Sequence, residues 1–233
     1  MSSYLDQTIA KLKEFEGSVP WMYLDTVGRV TVGVGLMLPN ATSAVALPFM
    51  NGDRRATAEE IEKEFARISA LAKGKTAKFY KKDGGIRLSE EAIDERLRGV
   101  LAGFEGYLKT HVPGYDRLPD VAKMALLDMI YNLGPGRLFE QFPRLLAAVG
   151  TGDWRRAAEM CSRRGPGPQR NEWTKDQFLA AAKEVSIKAE AAVERAAAGW
   201  MPALLGVGAG LAALWAATLP RRRDPDGSGG EQF

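Results

Sequence analysis

Hydrophobic positions near the start of the chain recur at helical intervals. Leu5, Ile9, Leu12 and Phe15 follow at spacings of four, three and three, marking one apolar stripe on a helix over residues 3–15. Ser2 or Ser3 can cap it, and Gly17 with Pro20 ends it. The period then drops to two. Residues 21–24 and 29–36 read as strands flanking the turn-like Asp25-Thr26-Val27-Gly28, and in the second Val30, Val32, Val34 and Leu36 alternate with Thr31, Gly33 and Gly35. The alternation places the branched residues on a packed face and Thr31 with both glycines on the other. Bare glycine backbone there either lets another chain approach closely or marks a bent strand.

Helical spacing returns after a loop over residues 40–53. Thr57 and Glu60 form a capping-box pattern opening a helix with Ile61, Phe65, Ile68 and Leu71 inward. Ser89 caps a longer helix carrying Ile93, Leu97, Val100, Leu101, Phe104 and Leu108. Residues 121–133 are apolar nearly all round, as a central buried helix should be. Shorter helices are expected around 138–149 and 154–161. A last helix starts near Asn171, after Gly165-Pro166-Gly167-Pro168, and runs Ala-rich toward Trp200. One small sheet followed by six or so helices makes the fold class α+β.

Composition narrows the chemistry. The 233 residues, 45% hydrophobic and 26% charged, exclude wholesale disorder and a polytopic membrane protein. Cys161 is the sole cysteine and His111 the sole histidine, so neither a disulfide, a zinc-cysteine cluster nor a triad with a spare histidine can be drawn. Catalysis is left to carboxylates. The net charge of +3 decides no partner. The basic stretch over residues 73–87, with Phe79 and Tyr80, carries no motif of a nucleic-acid reader and is expected to be a solvated loop.

The C-terminal run is different. Between Ala196 and Pro220 there is no charged residue, and residues 200–219 supply the ~20 positions a membrane-spanning helix needs. Trp200 and Trp215 suit interfaces, Gly206 and Gly210 form a small-xxx-small pair, and Arg221-Arg222-Arg223 follows. A helix folded back onto the domain, or a segment held by a delivery partner, would read the same way. Residues 1–17 lack the apolar run of a secretory signal. The expected organisation is a domain over residues 1–182, a connecting helix over 183–199, a candidate transmembrane segment over 200–219 and a polar tail over 220–233.

Glu16 sits where the first helix stops, Asp25 at the sheet turn, and Thr31 on the strand face away from the valines. A helix end beside a hairpin makes a groove with one acid on its wall and another on its floor. Glycoside cleavage needs such a pair, one carboxyl donating a proton to the leaving oxygen and one ionised to activate water or attack the sugar. A hydroxyl beside the second acid can hold that water in line.

The segment Glu16-Gly17…Tyr23-Leu24-Asp25-Thr26-Val27-Gly28-Arg29-Val30-Thr31-Val32-Gly33-Val34-Gly35 resembles the catalytic segment of bacteriophage-type lysozymes, glycoside hydrolase family 24. Residues 88–92 are similar to the family's entry into its long interlobe helix. Residues 125–134 resemble its buried central helix, 152–158 a following short helix, and 170–178 its closing arginine-bearing helix. In all, the likeness covers residues 3–180. It implies a lysozyme-like fold of a small sheet lobe and a mainly helical lobe. It implies Glu16 as general acid, Asp25 as the carboxylate working with water, and Thr31 as the residue orienting that water, commonly with inversion. Arg170 matches an arginine pairing with the catalytic glutamate, and Asn132 a polar residue of the saccharide groove. The implied substrate is the β-1,4 bond between N-acetylmuramic acid and N-acetylglucosamine of peptidoglycan, cleaved without metal or organic cofactor.

Three positions depart from the family pattern. Leu36 stands where several relatives carry histidine, and Trp173 where a second arginine often sits. Residues 40–87 form a longer segment able to reshape the groove. A general acid must also keep its proton near working pH, which burial favours and a nearby Arg170 opposes. A lysozyme-fold wall-binding or particle-assembly module without turnover is the competing reading, and a membrane-tethered interaction or immunity protein a third. The substrate lies outside the cytoplasmic membrane. Expected routes are a phage holin, a contact-dependent apparatus such as type VI secretion, or membrane association through residues 200–219. An antibacterial effector delivered to the periplasm or cell envelope would imply an immunity protein.

Overall fold

The computed structural model describes residues 3–216, with side chains described for residues 3–196. Helix α1 (Tyr4–Glu16) begins at Ser3, whose hydroxyl accepts the Asp6 N–H at 3.2 Å while the Asp6 carboxylate accepts the Ser3 N–H at 3.0 Å. That reciprocal cap satisfies two backbone donors, and Ile9 and Leu12 turn inward as their spacing predicts. The sheet follows as β1 (Val19–Leu24), β2 (Val30–Gly33) and β3 (Leu36–Met37), antiparallel in the order β1-β2-β3.

The single strand expected over residues 29–36 is therefore two. Gly33 and Gly35 have φ of 65° and 71°, a region that side chains with a Cβ rarely adopt, and they turn the chain back on itself. Thr31 then lies opposite Met37, and Val32 opposite Leu36. Of the two readings of the bare glycines, the bend holds.

Residues 40–53 are not a plain loop. Asn40 caps a short helix α2 (Ala41–Val45), and β4 (Met50–Asn51) pairs with β5 (Arg54–Arg55) beside the fully buried Phe49. Both pieces are too short to display a period in the sequence. Helix α3 (Ala58–Ser69) has the expected capping box of Thr57 and Glu60 and buries Ile61 and Ile68. The basic stretch contains a helical turn, α4 (Ala77–Tyr80). It is not wholly solvated: Tyr80 is fully buried and its hydroxyl donates to the Ala72 carbonyl at 2.8 Å. Trp21 Nε1 donates to the Ala77 carbonyl at 2.8 Å, and α3 and α4 pack on β1. The long segment thus thickens the small lobe.

Helix α5 (Glu90–His111), capped by Ser89, presents Ile93, Leu97, Leu101 and Leu108 to the core. Helix α6 (Asp120–Leu133) is the central one, buried at nearly every position from Ala122 to Ile130. The stretch expected as one helix over 138–149 divides into α7 (Pro135–Gln141) and α8 (Pro143–Thr151), each opening on a proline. Helix α9 (Trp154–Met160) precedes α10 (Pro168–Ala216), which starts a turn before Asn171.

Internal contacts divide the chain into one unit ending at Glu184 and a second beginning at Val185. In the second unit the backbone is helical to Ala216, with Val185, Ile187 and Val193 exposed. Among the described residues no helix is long and apolar enough to cross a membrane. The expected span over residues 200–219 falls outside those whose side chains are described, and its last three residues outside the described chain.

Truncating Leu126, fully buried in α6, to alanine should cost about 2–5 kcal/mol of stability. Losing the Thr57 cap by Thr57→Ala should cost about 1 kcal/mol. Urea unfolding of the two variants against wild type checks both.

Candidate active site

Glu16 is the last residue of α1. Gly17, with φ of 77°, ends the helix there, its N–H closing on the Lys13 carbonyl at 2.9 Å. The side chain of Glu16 therefore projects from a helix end and is one-third exposed (33%). It borders two clefts. One, of about 530 Å³, lies between the sheet and α5 and is lined also by Gly35, Leu36, Met37, Arg96, Phe104 and Tyr131. The other, of about 560 Å³, is walled by Phe15, Gly165, Pro166, Gly167 and Arg170. Glu16 and Asn132 border both and stand at their junction.

Behind Glu16 lies a buried ionic network. Arg170 Nη1 donates to Glu16 Oε1 at 2.5 Å, and its Nε donates to Asp128 Oδ1 at 2.7 Å. The other Asp128 oxygen accepts from Arg163 Nη2 at 2.7 Å and from the Thr174 hydroxyl at 2.9 Å. Asn171 fastens Arg163 further, accepting its backbone N–H at 3.1 Å and donating to its carbonyl at 2.8 Å. Burial works against the charge of Arg170, but Asp128 and then Glu16 outweigh it and hold the guanidinium above its ordinary value.

Arg170 pairs with Glu16, and Asn132 borders both clefts. Asp128, Arg163 and Thr174 were not singled out. The available signal was Asp128, the one acid in the otherwise apolar run over residues 121–133. A carboxylate facing the core at that position demands cations.

Asp25 closes the β1–β2 turn. Its Oδ1 accepts the N–H groups of Val27 at 3.0 Å and Arg29 at 2.8 Å, which fixes the carboxylate; neither bond uses Oδ2. Thr31 is 3% exposed, and its hydroxyl donates to the Arg29 carbonyl at 3.1 Å. It does face away from the valines, yet it is buried rather than open. Neither residue lines the two clefts that Glu16 borders. Strand register nonetheless relates Thr31 to it. Thr31 pairs with Tyr23 on one side and Met37 on the other, and paired residues share a sheet face. Met37 lines the cleft of Glu16. Tyr23 is held above its ordinary value by burial and then by the charges of Asp25 and Glu16.

The departures resolve in different ways. Leu36 lines the cleft beside Glu16 with an apolar wall. Trp173 packs edge-on against Phe15, with ring centres 5.6 Å apart, and takes no part in lining either cleft. None of residues 40–87 lines the two clefts that Glu16 borders.

The phage lysozyme family model matches residues 13–165, about two thirds of the chain, including Glu16, Asp25, Thr31 and Asn132. The chain belongs to the phage lysozyme family. Membership makes it a lysozyme-type glycoside hydrolase of the bacterial cell wall, with peptidoglycan as the substrate class. Arg170 falls beyond the matched segment, and its bond to Glu16 comes from the fold alone. Solved structures that match include a P22 lysozyme mutant, 19% identical, covering 77% of this chain and 99% of that one with a TM-score of 0.48. No curated protein matches the chain.

Replacing Asp128 by alanine should destabilise the protein by about 3–5 kcal/mol, because it strands two buried guanidinium groups; thermal and urea unfolding measure this. Tyr131, pushed up to about 12 mainly by burial, donates to the Val34 carbonyl and ties α6 to the sheet. A phenol with a raised folded value stabilises fully below its ordinary value near 10 and loses that contribution as pH rises toward about 12. Wild type should therefore lose stability more steeply across that window than Tyr131→Phe, as urea midpoints at each pH will record.

Proposed function

We propose that the protein cleaves the β-1,4 bond between N-acetylmuramic acid and N-acetylglucosamine, with Glu16 as general acid and Asp25 as the carboxylate that activates water. The observation carrying this reading is the place of Glu16. It is partly exposed at the junction of two clefts, while its other side meets a buried cation. A glycan strand lying along the clefts would pass its scissile oxygen over that carboxyl. Glu16 gives its proton to the leaving oxygen as the glycosidic C–O bond breaks, and Arg170 stabilises the carboxylate that results. Water adds to the anomeric carbon and passes a proton to Asp25. Asp25 then releases its proton to solvent and Glu16 takes one up, which restores both groups, and no metal or cofactor enters.

Asp25 suits its part because two backbone N–H groups fix one oxygen of the carboxylate and leave the other to meet water. Thr31 would orient that water once its hydroxyl turns from the Arg29 carbonyl, and Asn132 would hold a sugar substituent at the cleft junction. We assign inversion at the anomeric carbon as the stereochemical course. A wall-binding module without turnover is the second reading, favoured by the burial of Thr31 and its existing bond to Arg29.

Two finer expectations complete the proposal. The protein acts in the cell envelope of a bacterium, as an endolysin or a delivered antibacterial effector with its own immunity protein. Residues 200–219 attach it to membrane, and fractionation of cells with and without residues 200–233 tests this. Equal toxicity and a soluble location for both forms would refute the attachment.

Glu16→Gln should lower cleavage of purified sacculi by several orders of magnitude, and wild-type digests should contain new reducing-end muramic acid by mass analysis. An inert wild type would leave the wall-binding module.

A further inference from the structure

We propose that Asp128 is a positioning residue that acts through Arg170 to set how firmly Glu16 keeps the proton it must donate. This rests on reading Glu16 as the general acid. The groups around Glu16 are Arg170 from α10, Tyr131 from α6, Tyr23 from the sheet and Arg96 across the cleft on α5, with Asp25 acting on Tyr23 from the sheet turn. On its own helix, Glu14 pairs with Lys11, and Lys13 pairs with Glu90 and Asp94. Asp128 and Arg163 stand behind Arg170.

Counting charge across this buried cluster exposes the need for Asp128. Two guanidinium groups and the two carboxylates of Asp128 and Glu16 sum to zero when Glu16 is ionised, and to one positive charge when it is protonated. A cation beside a carboxyl favours its ionised form, and a second carboxylate on the same cation weakens that pull. Asp128 divides its two oxygens between Arg170 Nε and Arg163 Nη2, so one carboxylate partly offsets both cations. Its site is rigid: Asp128 is fully buried on α6, and Thr174 donates to it. Arg170 Nη2 is buried without an acceptor, so Nε and Nη1 carry the guanidinium's bonds to Asp128 and Glu16. Glu16 gives its proton to the leaving oxygen. The new carboxylate is received by Arg170, already 2.5 Å away.

The test is the alkaline limb of the kcat/KM–pH profile on purified peptidoglycan, which reports loss of the general acid's proton. Asp128→Asn keeps the shape of the side chain and deletes its charge; the limb should move down by ~0.5–1 pH unit, with cleavage recovering toward wild type at lower pH. Arg163→Met deletes one cation and should move the limb up by a similar amount, while Arg163→Lys returns it toward the wild-type position. Should Asp128→Asn fail to fold, the two Arg163 variants still decide. A limb that stays fixed in Asp128→Asn and Arg163→Met, with activity lowered equally at every pH, would mean that the cluster is structural support alone and overturn the proposal. Glu16→Gln separates the two levels: full activity in that variant would overturn the general-acid reading itself, whereas an unmoved limb overturns the role of Asp128 alone.

Discussion

A single guanidinium joins the core of this lysozyme to its cleft. Arg170 is inside the protein, yet one of its nitrogens holds Asp128 in the central helix and another holds Glu16 at the edge of solvent. Removing a cation and two anions from water is costly, and the cost is offset when each donor and acceptor meets a partner at short range. Here the partners come from α1, α6, α10 and the loop before it, so the ion pairs form properly once those elements are docked. The Glu16 carboxyl is thereby fixed by the same event that closes the core.

The rest of the site follows from how two kinds of backbone meet. A helix that stops at Gly17 delivers an acid at its tip, and a tight turn fixes a second acid by backbone hydrogen bonds. Between them, Tyr23 senses both charges, and Tyr131 joins the central helix to the Val34 carbonyl of the sheet. The small lobe cannot drift from the helical lobe without breaking that bond. Helices α3 and α4 pack on β1, and none of their residues lines the two clefts.

Much of this was legible in the residues themselves. The stripe Leu5-Ile9-Leu12, the capping box at Thr57 and the apolar run over residues 121–133 each specify an element by local spacing, and each formed as read. The strand over residues 29–36 was misread because period-two alternation continues through Gly33 and Gly35, whose positive φ cannot be seen in hydropathy. The elements α2, β4 and β5 are shorter than any window that reveals a period. In the site, Glu16 and Asp25 were marked by spacing and resemblance. The partnership of Asp128 with Arg163 and Arg170 spans 35 and 42 residues and depends on the helices docking, which no local pattern records.

The proposed action of Asp128 on cleavage through Arg170 is measured directly by a double-mutant cycle. Cleavage rates of purified sacculi would be compared for wild type, Asp128→Asn, Arg170→Met and the double variant, at a pH where Asp128→Asn alone is slowed. The account predicts strong non-additivity, the double variant being little slower than Arg170→Met by itself. Independent losses that multiply in the double variant would contradict it.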